Sequence, residues 1–249
     1  MSRCARMLMA AGVLIVCNQN QVIAADETSK ELYQTGYHQF KAGQYNTAIK
    51  TFNRCLDKDR MYWEAYWGRG FSSAKLGQFA NAVNEFSRYQ GFRDDYGKYG
   101  DMKPFDMNYK DECEQAAPIF SNYLKTHKKW FLYSGRAVSY MKMKKLQEAK
   151  ADLDEAVKNL PQDQTVLVAA VYGMRGNCNL ALGHADAALS DYDKGLSARE
   201  LAPLFRARSL AYKKMGKSDL AAKDESSAKM AEAGKGLKRL LTGGSSADD

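Results

Sequence analysis

Apolar, small and polar positions recur along this chain in one frame. From Leu32 to Phe52 it reads LYQTGYHQFKAGQYNTAIKTF, and from Tyr66 to Phe86 it reads YWGRGFSSAKLGQFANAVNEF. At a shift of 34 residues Gly36 falls on Gly70, Gly43 on Gly77, Tyr45 on Phe79, Ala48 on Ala82 and Phe52 on Phe86. Three more segments keep the frame: YSGRAVSYMKMKKLQEAKADL from Tyr133, YGMRGNCNLALGHADAALSDY from Tyr172 and FRARSLAYKKMGKSDLAAKDE from Phe205, with Ala149, Ala188 and Ala221 as the anchoring alanine. A period of this size marks a solenoid. Each copy predicts two helices and a turn. The small residue lets the helices approach, the aromatic fills the remaining gap, and the glycine supplies the left-handed cap between them. Neither helix pair could bury its apolar face by itself, so stacked neighbours must complete the core.

These motifs resemble the tetratricopeptide repeat family, whose 34-residue unit has a large residue at position four, small residues at eight and twenty and a turn glycine near fifteen. Pro161 falls on the family's closing-proline position. The resemblance runs from Ser29 to about Glu232. It implies an all-α fold, a right-handed α-solenoid of antiparallel helix pairs with a C-terminal capping helix. The expected order is units one and two over 26–96, a degenerate repeat or insertion over 97–129, units three to five over 130–235, and the end of the capping helix and a disordered tail over 236–249. Thr28 and Glu31 form a Thr-x-x-Glu capping box that starts the first helix.

An arginine stands at the seventh position of four copies, Arg69, Arg136, Arg175 and Arg208, and sixteen residues later stand Glu85, Asp152, Asp191 and Asp224. In the first copy Thr35 and Thr51 replace both charges together. This matched presence predicts that each arginine grips a carboxylate on the second helix of its own or an adjacent unit, since guanidinium can make two parallel bonds. It argues against reading the arginines as a ladder for phosphate or nucleic acid.

Gly91 to Lys129 keeps the period and loses the pattern. Cys113 to Leu124 reads as a surviving second helix containing Pro118, whereas GFRDDYGKYGDMKPFDMNY lacks helical periodicity and reads as a degenerate unit or ordered loop. After Ala228, Leu237, Leu240 and Leu241 are placed to cover the exposed end of the last unit.

The first residues differ in kind. Arg3 and Arg6 precede an apolar run from Met7 to Cys17, and Val22, Ile23 and Ala24 end it. This is the pattern of a secretory signal peptide over 1–25, cleaved after Ala24 or Ala25. The run has about 11 residues, roughly half of what a bilayer-crossing helix needs, so no integral membrane span is expected after cleavage. Val16 before Cys17 disfavours a lipid anchor. The expected location is periplasmic or secreted, and the short leader leans towards bacteria. Loss of Arg3 and Arg6 lowers the formal charge from +8 to +6. A basic surface speeds encounters with acidic partners without fixing one.

Composition agrees with a helical globular chain: four prolines in 249 residues leave helices unbroken, and 45% hydrophobic residues suffice for a core. Of five cysteines, Cys55, Cys113 and Cys178 lie beyond the leader. Their spacing fits neither a CxxC pair nor a zinc knuckle, and buried free thiols are favoured over one bridge and a leftover. His38, His127 and His184 are isolated, and no phosphate loop or nucleophile elbow appears, so no cofactor, metal or enzymatic activity is expected.

In the resembled family the first helices line a concave groove that receives a peptide or partner helix through positions two, five, nine, twelve and thirteen. Those positions here hold Tyr33, Tyr37, Phe40, Trp67, Phe71 and Phe131 at one end, and Asn177 and Lys213 at the other. Aromatic side chains give large contact area at low entropic cost. The family's clamp for chaperone carboxyl termini would fall on Tyr33, Tyr37, Gly68, Phe131 and Gly135, none of which matches it. The expected function is a non-catalytic scaffold of the cell envelope with a protein or peptide partner; the alternative is a structural subunit that self-associates or sits permanently in a complex.

Overall fold

The computed structural model describes residues 27–95 and 102–241. The expected signal peptide over 1–25 and the last eight residues therefore lie outside the described residues, as do the side chains of Leu237, Leu240 and Leu241. Among the described residues six helix pairs follow one another. They are α1 (Ser29–Lys41) with α2 (Tyr45–Lys58), α3 (Trp63–Lys75) with α4 (Phe79–Asp95), and α5 (Lys103–Tyr109) with α6 (Cys113–Leu124). Then come α7 (Trp130–Lys142) with α8 (Leu146–Ala156), α9 (Thr165–Ala181) with α10 (Ala185–Ala198), and α11 (Ala202–Lys214) with α12 (Ser218–Leu241). No strand occurs among the described residues. The chain is an all-α solenoid of helix pairs. The capping helix is continuous with the second helix of the last pair, without a break between them.

Each pair turns at the same repeat position, fifteen, in a left-handed conformation. Gly43, Gly77, Gly183 and Gly216 have φ of 75°, 75°, 84° and 72°, and Lys144 and Asp111 hold the same place at 59° and 63°. Asp111 shows that the segment without a legible pattern is a true helix pair. The stretch read from sequence as lacking helical periodicity contains α5, whose Phe105 and Asn108 are fully buried. Thr28 and Glu31 form the capping box: the Glu31 N–H donates to Thr28 Oγ1 at 3.2 Å and the Thr28 N–H donates to Glu31 Oε2 at 2.8 Å.

Packing inside and between pairs follows one rule of volumes. An aromatic residue at position 24 sits against a glycine at position eight of its own pair, at position six of the next, or at both. A Cβ added to Gly36 or Gly68 would lie 2.8 or 2.6 Å from the Phe52 ring, and one at Gly70 would lie 2.7 Å from Phe86. Gly135 meets Phe120 at 2.6 Å and Gly176 meets Tyr192 at 2.5 Å in the same way. Where position 24 is the smaller Leu153, position eight is Ala137 rather than glycine. Interiors are packed too densely for the extra methyl to be absorbed beside an aromatic ring. The last pair breaks the rule at its open end: Glu225 replaces the aromatic and accepts hydrogen bonds from Ser209 Oγ at 3.1 Å and Lys213 Nζ at 3.2 Å. A polar pair there ends the array without exposing a core ring.

The position-seven arginines behave as the sequence predicts, and each does more. Arg136 donates Nε and Nη2 to Asp152 at 2.8 and 2.6 Å, and Arg208 donates them to Asp224 at 2.8 and 2.7 Å. Arg175 with Asp191 and Arg69 with Glu85 repeat the arrangement. The remaining nitrogen, Nη1, crosses to position 25 of the preceding pair: Asn53 at 2.7 Å, Ser121 at 3.0 Å, Asp154 at 3.0 Å and Asp193 at 2.5 Å. Four arginines thereby tie neighbouring pairs together, and Ser121 brings the degenerate pair into the series.

The largest departure from a regular stack is at α4. Helix α5 has 7 residues where α3 and α7 have 13, so it covers only part of the face that α4 presents to it. Helices α7 and α9 pack on α4 as well. Phe79 reaches Gly173 on α9, where an added Cβ would lie 2.9 Å from its ring, and Gln164 Nε2 donates to Gln90 at 3.4 Å. Two buried polar residues of α4 find partners on α5: Asn84 Nδ2 donates to the Phe105 carbonyl at 3.0 Å, and Arg88 pairs with Asp106. Asn108 extends the network, donating to the Gly135 carbonyl at 2.7 Å and accepting from Ser139 Oγ at 2.7 Å.

Candidate partner-binding surface

Helices α1 and α3 carry their repeat positions five and nine on adjoining faces, since residues four apart share one side of a helix. On α1 the Tyr33 and Tyr37 rings stack at 6.4 Å between centroids. On α3 the Trp67 and Phe71 rings meet edge to face at 5.0 Å. Phe40 joins the two helices, its ring 6.1 Å from that of Phe71. Five of the eight residues expected to line a groove therefore form an aromatic surface of two ring clusters on packed helices, Tyr33 with Tyr37 and Phe40 with Phe71 and Trp67. Tyr37 is its most open member at 43% exposure, and Trp67 and Phe71 are half-buried, held from behind by Phe86 at 4.6 and 5.5 Å.

The other three do not join it. Phe131, expected on the groove, is buried, because α4 packs against α7 at that place; Gly91 of α4 lies beside it, with an added Cβ 3.6 Å from the ring. Phe79 of the same helix, with Leu204 of α11, closes over Gly173 on α9, which the repeat frame also assigns to a groove. Asn177 is half-buried and accepts a hydrogen bond from the Tyr192 hydroxyl at 2.9 Å. Lys213 is exposed and pairs with Glu225. The chain's own second pair occupies the face that the later units would otherwise leave open.

Several aromatics outside the groove frame belong to the surface. The Tyr62 ring lies 5.2 Å from Tyr33, and Trp63, 45% exposed, lies 5.5 Å from Tyr89, which in turn is 4.7 Å from Trp67. The density of rings between Tyr62 and Phe92 was the available signal; repeat positions one and 27 are simply not groove positions. Burial, and then the nearby Glu64 carboxylate, push the Tyr33 and Tyr62 hydroxyls above their ordinary range.

No group of three or more His, Cys, Asp or Glu that could hold a metal occurs among the described residues, and no helix there is long and apolar enough to cross a membrane. Cys55, Cys113 and Cys178 are free and buried; Cys55 Sγ donates to the Ser29 carbonyl at 3.1 Å and Cys178 Sγ to that of Leu146 at 3.0 Å. An open cleft of about 960 Å³ lies along α9 and α10, lined by Thr165, Val168, Tyr172, Asp193 and Lys194. It is polar, and Asp193 is already engaged by Arg208.

Residues 32–59 and 132–163 match family models described as tetratricopeptide repeat. No curated protein matches the sequence. Among solved structures, TTC0263, a thermophilic TPR protein in Thermus thermophilus, is similar at 17% identity, with 86% of this chain and 96% of that one covered and a TM-score of 0.48. A tetratricopeptide repeat protein from Parabacteroides merdae is similar at 16% identity, covering 81% and 77%, with a TM-score of 0.47. YrrB, described as a TPR protein with an unusual peptide-binding site, is similar at 15% identity, covering 80% and 84%, with a TM-score of 0.44.

Proposed function

We propose that this chain, which carries tetratricopeptide repeats, is a non-catalytic scaffold that holds a protein or peptide partner on the aromatic surface of α1 and α3. Tetratricopeptide repeat proteins generally mediate protein–protein interactions, which supports the class of function. The observation that carries the site is the two ring clusters, Tyr33 with Tyr37 and Phe40 with Phe71 and Trp67, on the outside of a chain in which α4 packs on α7 and α9. Rings that are fixed from behind and open in front lose little entropy when a partner covers them. The leader over 1–25 supports export, so the partner is sought in the cell envelope or outside the cell.

The test is affinity capture from an envelope extract, comparing the wild type with Tyr37→Ala and with Tyr37→Ala/Trp67→Ala. Loss of the same captured partner from both variants, at unchanged circular dichroism, supports the surface. Capture of that partner by both variants as by wild type refutes it. Tyr37→Ala is the cleaner probe, because Trp67 also packs on Phe86 and Tyr89.

A second reading, a structural subunit that self-associates, draws on Leu210, Leu220 and Met230 of the last pair, which are exposed. Light scattering behind size exclusion separates the two: a monomer at micromolar concentration removes the second.

A further inference from the structure

We infer that the Glu64 end of the aromatic surface receives a cationic side chain, lysine or arginine, presented by the partner. This rests on the partner-binding reading above and specifies the chemistry of what is bound. Glu64, Trp67 and Phe71 stand at i, i+3 and i+7 of α3, so the carboxylate ends the row of rings on one helix face. Glu64 is half-buried, and among the described residues it makes no hydrogen bond or ion pair. Lys30, at the equivalent position of α1, makes none with it. Tyr62 immediately precedes the helix, its ring lies 5.2 Å from Tyr33, and the Glu64 charge acts on the hydroxyls of both.

The rest of the molecule shows what such a set holds. Arg69 pairs with Glu85 while lying 5.3 Å from the Tyr66 ring and 4.0 Å from that of Tyr109. Arg175 pairs with Asp191 and lies 5.3 Å from the Tyr172 ring, and Arg136 pairs with Asp152 and lies 5.7 Å from that of Tyr140. In each case one cation sits between a carboxylate and a tyrosine face. At Glu64, Tyr33 and Tyr62 the carboxylate and the rings are in place, and no lysine or arginine of the described residues lies over either ring. Lys41 lies 5.6 Å from Tyr37, at the far end of the row, and leaves the Glu64 end to the partner. A cation arriving there gains a charge-assisted bond and the attraction of the ring faces together.

The test pans a random dodecapeptide display library on the immobilised full chain, on Glu64→Gln, on Glu64→Lys and on Tyr37→Ala/Trp67→Ala. Wild type is expected to select peptides enriched in lysine or arginine at one place, bound about tenfold more weakly by Glu64→Gln and lost on Glu64→Lys. Replacing that basic residue with glutamine in a selected peptide should weaken it on wild type and make no difference on Glu64→Gln. Peptides that depend on Tyr37 and Trp67 but show no basic enrichment, or bind Glu64→Gln equally, overturn the inference and leave the surface standing. Selection of no peptide, or of peptides indifferent to the double variant, overturns the surface reading and this inference with it.

Discussion

Arg69 joins two helix pairs: it donates to Glu85 of its own pair at 3.0 Å through Nε, and to Asn53 of the preceding pair at 2.7 Å through Nη1. Burial is the largest single influence and works against the charge, but Glu85, Tyr109 and Tyr66 together outweigh it and hold the guanidinium above its ordinary range. Both partners are nearly sealed from solvent, at 6% and 1% side-chain exposure. Glu85→Ala leaves a buried cation without its counter-charge, and should lower the unfolding free energy by about 3 to 5 kcal/mol. Asp224→Ala leaves Arg208 partly exposed and still paired with Asp193, and should cost less, about 1 to 2 kcal/mol. Urea unfolding followed by circular dichroism measures both; equal losses would contradict the role given to burial.

Ser87 and Ser121 occupy the same repeat position, 25, with opposite consequences. Ser121 accepts from Arg136, whereas Ser87 faces a pair with Lys103 at position seven, and its buried hydroxyl has no partner among the described residues. Ser121→Ala should cost about 1.5 kcal/mol, the net worth of one hydrogen bond to a charged group at its lower end. Ser87→Ala removes an unsatisfied polar atom and should be neutral or slightly stabilising. Thermal melts of the two variants decide; a matched loss would mean that Ser87 is satisfied in solution.

Gly176→Ala places a methyl 2.5 Å from the Tyr192 ring and should destabilise by about 1 to 3 kcal/mol. Adding Tyr192→Leu recreates the Ala137 and Leu153 combination of the fourth pair. The double variant should therefore be more stable than the sum of the two single losses predicts, by at least about 0.5 kcal/mol in a mutant cycle. Strict additivity would show that the volume rule is not a packing constraint.

Burial pushes the Cys55 thiol up to about 11, with Asp59 and Glu64 adding to the effect, and Cys113 and Cys178 also move up through burial. In a chain with Cys4 and Cys17 changed to serine, the three thiols should react with a disulfide reagent at pH 8 only as fast as the protein opens, because the thiolate is the reactive form. The folded value is raised, so the stability that Cys55 contributes is complete below its unfolded value near 9 and is lost as pH rises through about 11. Cys55→Ala should flatten that alkaline loss; an unchanged slope would assign it to other groups.

The repeat was legible because its determinants are local. Gly43, Gly77, Gly183 and Gly216 mark left-handed turns that few other residues adopt, and Gly36 and Gly70 mark close helix approach. Thr28 and Glu31 announced the first helix, and four arginines with four carboxylates at a spacing of sixteen announced four ion pairs. Even in the unpatterned segment, the span Cys113–Leu124 was readable as a helix. The arms that these arginines extend to Asn53, Ser121, Asp154 and Asp193 were not read, since position 25 holds three different residue types with only acceptor oxygen in common.

By itself, then, the sequence determined the helix pairs, their turns and the pairing of charges within each unit, because each depends on contacts at short, fixed spacing. The position of α4 against α7 and α9 was decided only by the tertiary structure. It follows from the shortness of α5, which no residue pattern marks, and from contacts between residues as distant in sequence as Gln90 and Gln164. The same long-range packing buried Phe131 and left Tyr37 open, although both occupy groove positions of one repeat frame. A repeat frame fixes which way a side chain leaves its helix. Which neighbour arrives there is set by how the pairs stack, and here α4 arrived first.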